Sequence, residues 1–166
     1  MNLNDYSKCI EKALGQLPKG ALLTVEAEGK LNTMTIGWGC FGFEWGLPVF
    51  EAMVRESRFT KGLLDKSGEF TVTFPTGEDA AQILAYCGKI SGRDADKIKD
   101  CSLKISEARK IKTPVVNLKG IAVECRVVAK MPMVKELTDS GILDRCYKNG
   151  DLHTMYYGEV IDCYEI

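Results

Sequence analysis

The feature that most constrains this sequence is the order of its β-prone segments. Runs rich in β-branched and aromatic residues occur early and late in the chain, and helical patterns stand between them without a regular strand–helix alternation. A doubly wound parallel sheet needs that alternation, so the order argues against one. Some runs are apolar on both faces, which indicates that both faces are covered. We predict a mostly β fold of the α+β class, a β-barrel with peripheral helices.

The spacing of apolar residues predicts where the helices and strands lie. The pattern Tyr6, Ile10, Ala13, Leu14, Leu17 predicts an amphipathic N-terminal helix behind possible caps at Asn4 and Asp5. A short helix capped by Ser57 and a helix from Glu78 to Cys87 are also expected. The predicted strands are Ala21–Ala27, Leu31–Trp38, Val49–Val54, Phe70–Phe74, Gly120–Ala129 and His153–Tyr164.

Length and charge bound the class of protein. With 166 residues, 45% hydrophobic and 27% charged, the chain is predicted to form a single domain over residues 1–166. The formal net charge of -1 gives no basic surplus for nucleic acid or an anionic membrane. We find no signal-peptide pattern, and the apolar stretch Leu47–Val54 is too short to span a bilayer. A cytoplasmic location is expected.

The cysteines and the single histidine limit the possible chemistry. Seven scattered cysteines without a Cys-x-x-Cys pair are interpreted as reduced thiols. His153 has no cysteine close by, so we expect no metal site. The Gly-x-Ser-x-Gly pattern is absent, and a Walker-like segment at Gly15–Gly20 has Ala21 where a lysine is needed.

The segment Arg55-Glu56-Ser57-Arg58-Phe59-Thr60 carries the clearest chemistry. It places two guanidinium groups and two hydroxyls where a predicted strand ends and a helix begins. Guanidinium groups, hydroxyls and the free N–H groups of a helix start all favour phosphate. A helix start with two solvated arginines is about equally consistent with this segment alone.

Three further segments are candidates. Asn32–Gly39 combines polar residues and glycines with Met34 and Trp38, which suits a planar ring system, although taken alone the segment is better explained as a curved barrel strand with Trp38 in the core. Cys87–Lys97 presents Ser91, Gly92 and a lysine to an anion, or is a capped helix entry. His153 opens the last strand and suits proton delivery, although a lone histidine is more often structural.

In this order, the four segments resemble the flavin reductase-like family, whose fold is the FMN-binding split β-barrel with Greek-key-like connections. The resemblance covers Asn32–Trp38, Arg55–Thr60, Cys87–Lys97 and His153–Val160, and so nearly the whole chain. It implies a homodimer with FMN at the subunit interface. The residues it implies in cofactor binding are Asn32, Thr33, Met34, Thr35, Trp38, Arg55, Ser57, Arg58, Thr60, Ser91, Gly92 and Lys97, with His153 in catalysis. Glu56 stands where the family often has proline.

The function implied is that of an oxidoreductase. NADH or NADPH would pass hydride to FMN, which would reduce free flavin, a metal complex or a partner protein. The alternative is an FMN-containing electron-transfer protein, flavoredoxin-like, without direct reactivity toward NAD(P)H. A flavin- or haem-binding module without turnover is a third class, and the scarcity of histidine makes haem the weakest.

Overall fold

The N-terminal helix closes one end of the fold. A computed structural model describes residues 3–166, and their side chains from residue 6 onward. Helix α1 (Leu3–Gln16) continues into a 3-10 turn at Leu17–Lys19. Tyr6, Cys9 and Ala13 are buried, as predicted, whereas Leu14 is 49% exposed. The Tyr6 hydroxyl donates to the carbonyl oxygens of Gly42 (2.9 Å) and Val49 (3.0 Å), which fixes the helix to the sheet.

Antiparallel strands make up most of the remaining structure. The strands are β1 (Ala21–Ala27), β2 (Lys30–Ile36), β3 (Gly39–Glu44), β4 (Leu47–Arg55), β5 (Glu69–Pro75), β6 (Ile105–Ser106), β7 (Val115–Val116), β8 (Gly120–Pro132) and β9 (His153–Glu165). The further helices are α2 (Phe59–Ser67), α3 (Ala80–Lys89), α4 (Lys97–Asp100) and α5 (Ser140–Cys146), with a second 3-10 turn at Lys135–Leu137. The predicted α+β class, mostly β with peripheral helices, is confirmed.

The connection between β2 and β3 forces the main sheet to curl. The strand order is β2-β1-β5-β8-β9-β4-β3, so consecutive strands β2 and β3 stand at opposite edges of a seven-stranded sheet. A flat sheet would separate those edges by about 29 Å, since neighbouring strands lie about 4.8 Å apart. The link through Gly37 and Trp38 spans at most about 11 Å. The sheet must therefore close on itself, and because β2 and β3 are not paired, the barrel is split between them.

One apolar core fills the inside of the curled sheet. Its buried residues include Leu23 on β1, Met34 on β2, Phe50 on β4, Phe70 on β5 and Tyr156 on β9. Because strands from every part of the sheet order contribute to this one cluster, the core holds the barrel closed.

A second apolar layer covers the outside of β1 and β5. Leu22 packs there against Leu84 and Cys87 of α3 and against Leu103 and Val116 of the following segment. The predicted covering of both strand faces is thus confirmed, and helix α3 is held beside β2.

Four local predictions need correction. The segment Gly39–Glu44 was not predicted as a strand, although it pairs with β4. Helix α3 begins at Ala80, after the predicted Glu78, and ends at Lys89. Helix α2 begins after Arg58, and the Ser57 hydroxyl does not cap it but donates to Asp151 (2.6 Å). Asn4 and Asp5 lie within α1, and their side chains are outside the described part of the chain.

The interpretation of all seven cysteines as reduced thiols is wrong for two of them. Cys9 of α1 and Cys163 of β9 form a disulfide across a sequence separation of 154 residues. The cause is tertiary, since α1 packs against β9. Cys40, Cys87, Cys101, Cys125 and Cys146 are free. No helix in the described residues is long and apolar enough to cross a membrane.

Candidate functional site

A cleft opens where the barrel is split. Its volume is about 160 Å³, and one side consists of the end of β2 and the link to β3. The other side consists of the end of β4 and the start of β9, whose pairing sets Arg55 opposite His153. The lining residues are Met34, Thr35, Ile36, Gly37, Trp38, Met53, Arg55, Arg58 and His153. The sequence segments around Asn32, Arg55 and His153 therefore meet at one place, as the resemblance implied.

Arg55 is fixed at the cleft by the loop that precedes β9. Its guanidinium donates to the carbonyl oxygens of Asp151 (2.6 Å) and Cys146 (3.1 Å). The group also stacks near Trp38 (5.8 Å to the ring centroid) and Tyr147 (5.1 Å). These two acceptors are neutral carbonyls, and the Asp151 carboxylate lies close enough to interact electrostatically with Arg55.

Arg58 joins this cleft to a second chamber of about 170 Å³, which it also lines. Its guanidinium donates to the carbonyl oxygen of Gly88 (2.7 Å) at the end of α3. Ser57, Thr60, Ser91, Gly92 and Lys97 line the same chamber. The structure therefore brings together Arg55–Thr60 and Cys87–Lys97, the two segments in which the sequence indicated an anion site.

Lys97 is a buried cation in the wall of this chamber. It is 3% exposed, and its ammonium group donates to the carbonyl oxygen of Cys87 (3.3 Å). Burial lowers the pKa of Lys97, and the nearby Arg58 charge lowers it further. Among the described residues no carboxylate forms an ion pair with Lys97, Arg55 or Arg58. A buried lysine without an ion-paired carboxylate is complementary to an anionic ligand.

Glu56 does not oppose the arginines beside it. Its carboxylate accepts a hydrogen bond from Thr154 (2.5 Å) and pairs with Lys61 (3.4 Å). The acidic residue that departs from the family pattern is thus engaged outside the lining of the cleft. Its negative charge is partly balanced there.

Several predicted polar residues use their side chains within the protein. The Asn32 amide donates to the Thr60 hydroxyl (2.7 Å), and both residues are buried. The Thr33 hydroxyl lies between strands, where it contacts Thr24 (3.0 Å). The Thr35 hydroxyl donates to the carbonyl oxygen of Leu84 (2.6 Å), although Thr35 also lines the cleft. Thr33 is thus the predicted site residue whose side chain is directed away from the cleft.

Gly92 is required by close packing. A Cβ atom at this position would lie 2.1 Å from Oδ1 of Asn32 and 2.8 Å from the Phe59 ring. The loop carrying Ser91 therefore sits directly on β2 and the start of α2. The Ser91 hydroxyl accepts from the backbone N–H of Arg93 (3.2 Å), which shapes this turn.

His153 is buried at the end of the cleft opposite β2. Its Nδ1 lies 2.8 Å from the Tyr147 hydroxyl, and its ring is 5.2 Å from that of Trp38. Burial, together with the charges of Arg55 and Arg58, lowers its pKa to about 4. The imidazole is therefore neutral near pH 7, which favours hydrogen bonding over delivery of a proton by an imidazolium.

Sequence reasoning missed three residues that shape the site. Tyr147 and Asp151 hold Arg55, His153 and Ser57 from a loop that had no recognisable pattern. Met53 lines the cleft from β4. Met53 precedes Arg55 by two residues on the same strand, so the two side chains share one face of the sheet. This spacing was the signal available in the sequence.

The donor set fits a flavin mononucleotide. Two guanidinium groups and a buried ammonium match a phosphate, and Met34, Met53 and Trp38 offer apolar surface for a ring system. Within the described part of the chain, no group of three or more His, Cys, Asp or Glu side chains is placed to hold a metal ion.

Comparison with known proteins identifies the family. The family model of the flavin reductase like domain matches residues 15–166, so the chain belongs to this family. An uncharacterized protein of Archaeoglobus fulgidus is 28% identical over 144 residues, which cover 87% of this chain and 71% of that protein.

Two solved structures share the fold. The structure is similar to flavoredoxin from Methanosarcina acetivorans, with a TM-score of 0.69 and 23% identity, covering 89% of this chain and 68% of that chain. It is also similar to the flavin reductase HpaC complexed with NADP+, with a TM-score of 0.64 and 18% identity, covering 89% and 78% of the two chains.

Proposed function

We propose that this protein is an FMN-binding oxidoreductase of the flavin reductase type, acting as one domain. The observation that carries the proposal is the pair of guanidinium groups, Arg55 and Arg58, without carboxylate partners among the described residues, in a cleft that also has an apolar side. Membership of the flavin reductase like family supports the same cofactor. When bound, FMN would accept hydride from NADH or NADPH and pass electrons to free flavin, a metal complex or a protein.

The residues of the chain would divide the work of binding. Arg58 and Lys97, with Ser91, would hold the phosphate in the second chamber, and Ser57, whose hydroxyl and N–H both donate to Asp151, would shape the chamber wall. Met34 and Trp38 would face the flavin ring in the cleft at the barrel split. Asn32, Thr33, Thr60 and Gly92 would act by shaping the strand and loop against which the cofactor lies.

His153 would serve as a neutral hydrogen-bonding group at the flavin edge. Burial raises the pKa of Tyr147, which keeps its phenol protonated. If that phenol donates to Nδ1 of His153, the ring proton is on Nε2 and can be donated to a ligand. A role of His153 in catalysis stays a prediction.

A homodimer with the cofactor at its interface is supported by exposed apolar residues beside the cleft. Met131 is 47% exposed, and Trp38, which lines the cleft, is 42% exposed. Met131 pairs with Met155, two residues from His153, so this surface borders the site. Sedimentation of the purified protein tests the dimer. Cytoplasmic location stays a prediction.

The second candidate is an electron carrier, favoured by the similarity to a flavoredoxin. Anaerobic addition of NADH or NADPH to the FMN-loaded protein separates the two. Loss of the oxidised flavin absorbance on mixing supports the reductase. A flavin spectrum that persists with both donors but bleaches with dithionite supports the carrier.

A further inference from the structure

Two free thiols pack in the same apolar layer behind the second chamber, the proposed phosphate site. Cys87 of α3 is fully buried in the outer apolar layer, and Cys101, directly after α4, is partly buried against the same layer. The residues just before the two cysteines join the same elements, since the Tyr86 hydroxyl donates to the Asp100 carboxylate (2.7 Å). One cysteine of this pair lies in α3 and the other directly after α4, and the cofactor site uses neither side chain.

The backbone around this thiol pair holds two cations of the site. The carbonyl oxygen of Cys87 accepts from Lys97 (3.3 Å), and that of the next residue, Gly88, accepts from Arg58 (2.7 Å). On the other side, the N–H of Cys101 donates to the carbonyl oxygen of Lys97 (3.1 Å). A shift of the backbone at Cys87 or Cys101 would therefore move groups to which Lys97 and Arg58 are bonded.

We propose that Cys87 and Cys101 form a reversible disulfide, and that its formation weakens binding of the cofactor phosphate. The oxidant is hydrogen peroxide. Cys101 is the more exposed thiol, so its sulfur attacks the peroxide first: the O–O bond breaks, a sulfenic acid forms and water leaves. The Cys87 sulfur then attacks the sulfenic sulfur, the S–O bond breaks, and the oxygen leaves as a second water with the Cys87 proton.

The effect on the cofactor follows from geometry and rests on the proposed function. A disulfide holds its sulfurs about 2.05 Å apart, well inside the separation of two thiols in non-bonded contact. The ends of α3 and α4 must approach to close that gap. Binding sites lose affinity when their groups leave the productive geometry by more than about 0.5 Å. Losing one charge-assisted hydrogen bond to phosphate weakens FMN binding about tenfold.

Peptide mapping tests the disulfide without reference to function. Reduced protein is treated with hydrogen peroxide, capped with N-ethylmaleimide and digested with trypsin. We expect a linked peptide joining residues 67–89 to residues 100–104, released by dithiothreitol. It should form in the wild type and in the Cys40→Ser control, and be absent from Cys87→Ser and Cys101→Ser. Recovery of both wild-type peptides as separately capped thiols after peroxide overturns the proposal.

FMN titration tests the coupling. The oxidised wild type should bind FMN about tenfold more weakly than the reduced wild type, and peroxide should leave the affinity of Cys101→Ser unchanged. Equal affinities of the linked and reduced wild type overturn the coupling. Reduced wild type that does not bind FMN instead refutes the proposed function, and the peptide map still decides the disulfide.

Discussion

Replacing Arg58 by methionine isolates the contribution of the second chamber, the proposed phosphate site. The Arg58 guanidinium uses one N–H on the carbonyl oxygen of Gly88 and has no carboxylate partner among the described residues. Its other N–H groups are available to a ligand. A hydrogen bond to a charged group contributes about 1.5–3 kcal/mol, so Arg58→Met should weaken FMN binding by about 10- to 150-fold. Riboflavin, which lacks the phosphate, should bind wild type and variant equally.

The assay is an equilibrium titration of flavin fluorescence with both ligands. Arg126→Met is the matched control, because Arg126 carries the same charge but pairs with Glu159 (3.2 Å) on the surface, outside the chamber. The variant also loses the Gly88 hydrogen bond, at a cost of about 1 kcal/mol of stability, so the titrations are run well below the melting temperature. Equal losses of FMN and riboflavin affinity would refute a phosphate contact at Arg58.

Three further changes test the fold around the site. Gly92→Ala places a Cβ 2.1 Å from Oδ1 of Asn32, so it should lower the free energy of unfolding by about 1–3 kcal/mol and weaken FMN binding. A variant with the stability and the FMN affinity of the wild type contradicts the packing argument. The folded pKa of His153 is about 4, below the 6.5 of a free imidazole, so the unfolded chain binds the extra proton. Stability should therefore fall as pH drops from about 6.5 to about 4, by up to about 3 kcal/mol, and His153→Asn should reduce this slope; identical slopes contradict the shift. The double change Cys9→Ser and Cys163→Ser should lower the stability of the unreduced protein by about 2–4 kcal/mol and abolish its response to dithiothreitol; a stability equal to wild type contradicts the disulfide.

Residue type and local order were enough to predict much of the site. Arg55 and Arg58 were recognisable because guanidinium groups and hydroxyls at a strand–helix junction can donate hydrogen bonds to phosphate oxygens. The family resemblance then indicated that this segment, the strand at Asn32 and the start of β9 would meet. The structure brings them together through the pairing of Arg55 with His153 and through the closure of the barrel at Trp38.

The features that could not be predicted from the sequence depend on long-range packing. Nothing local marks Tyr147 or Asp151, since their roles arise from the loop that the pairing of β4 and β9 brings over Arg55. The Thr60 hydroxyl was predicted to bind the cofactor. In the structure it accepts a hydrogen bond from Asn32, a contact that the sequence does not show. The disulfide joins residues near opposite ends of the chain, and only the packing of α1 on β9 makes it possible.

The most direct test of the account is titration of the purified wild-type protein with FMN and with riboflavin, followed by flavin fluorescence. Saturable binding of one FMN per chain is expected, with weaker binding of riboflavin, because Arg58 and Lys97 line the chamber in which the phosphate is proposed to bind. Absence of saturable FMN binding, or riboflavin binding as tight as FMN, would contradict the assignment of the cleft and its chamber to a flavin mononucleotide.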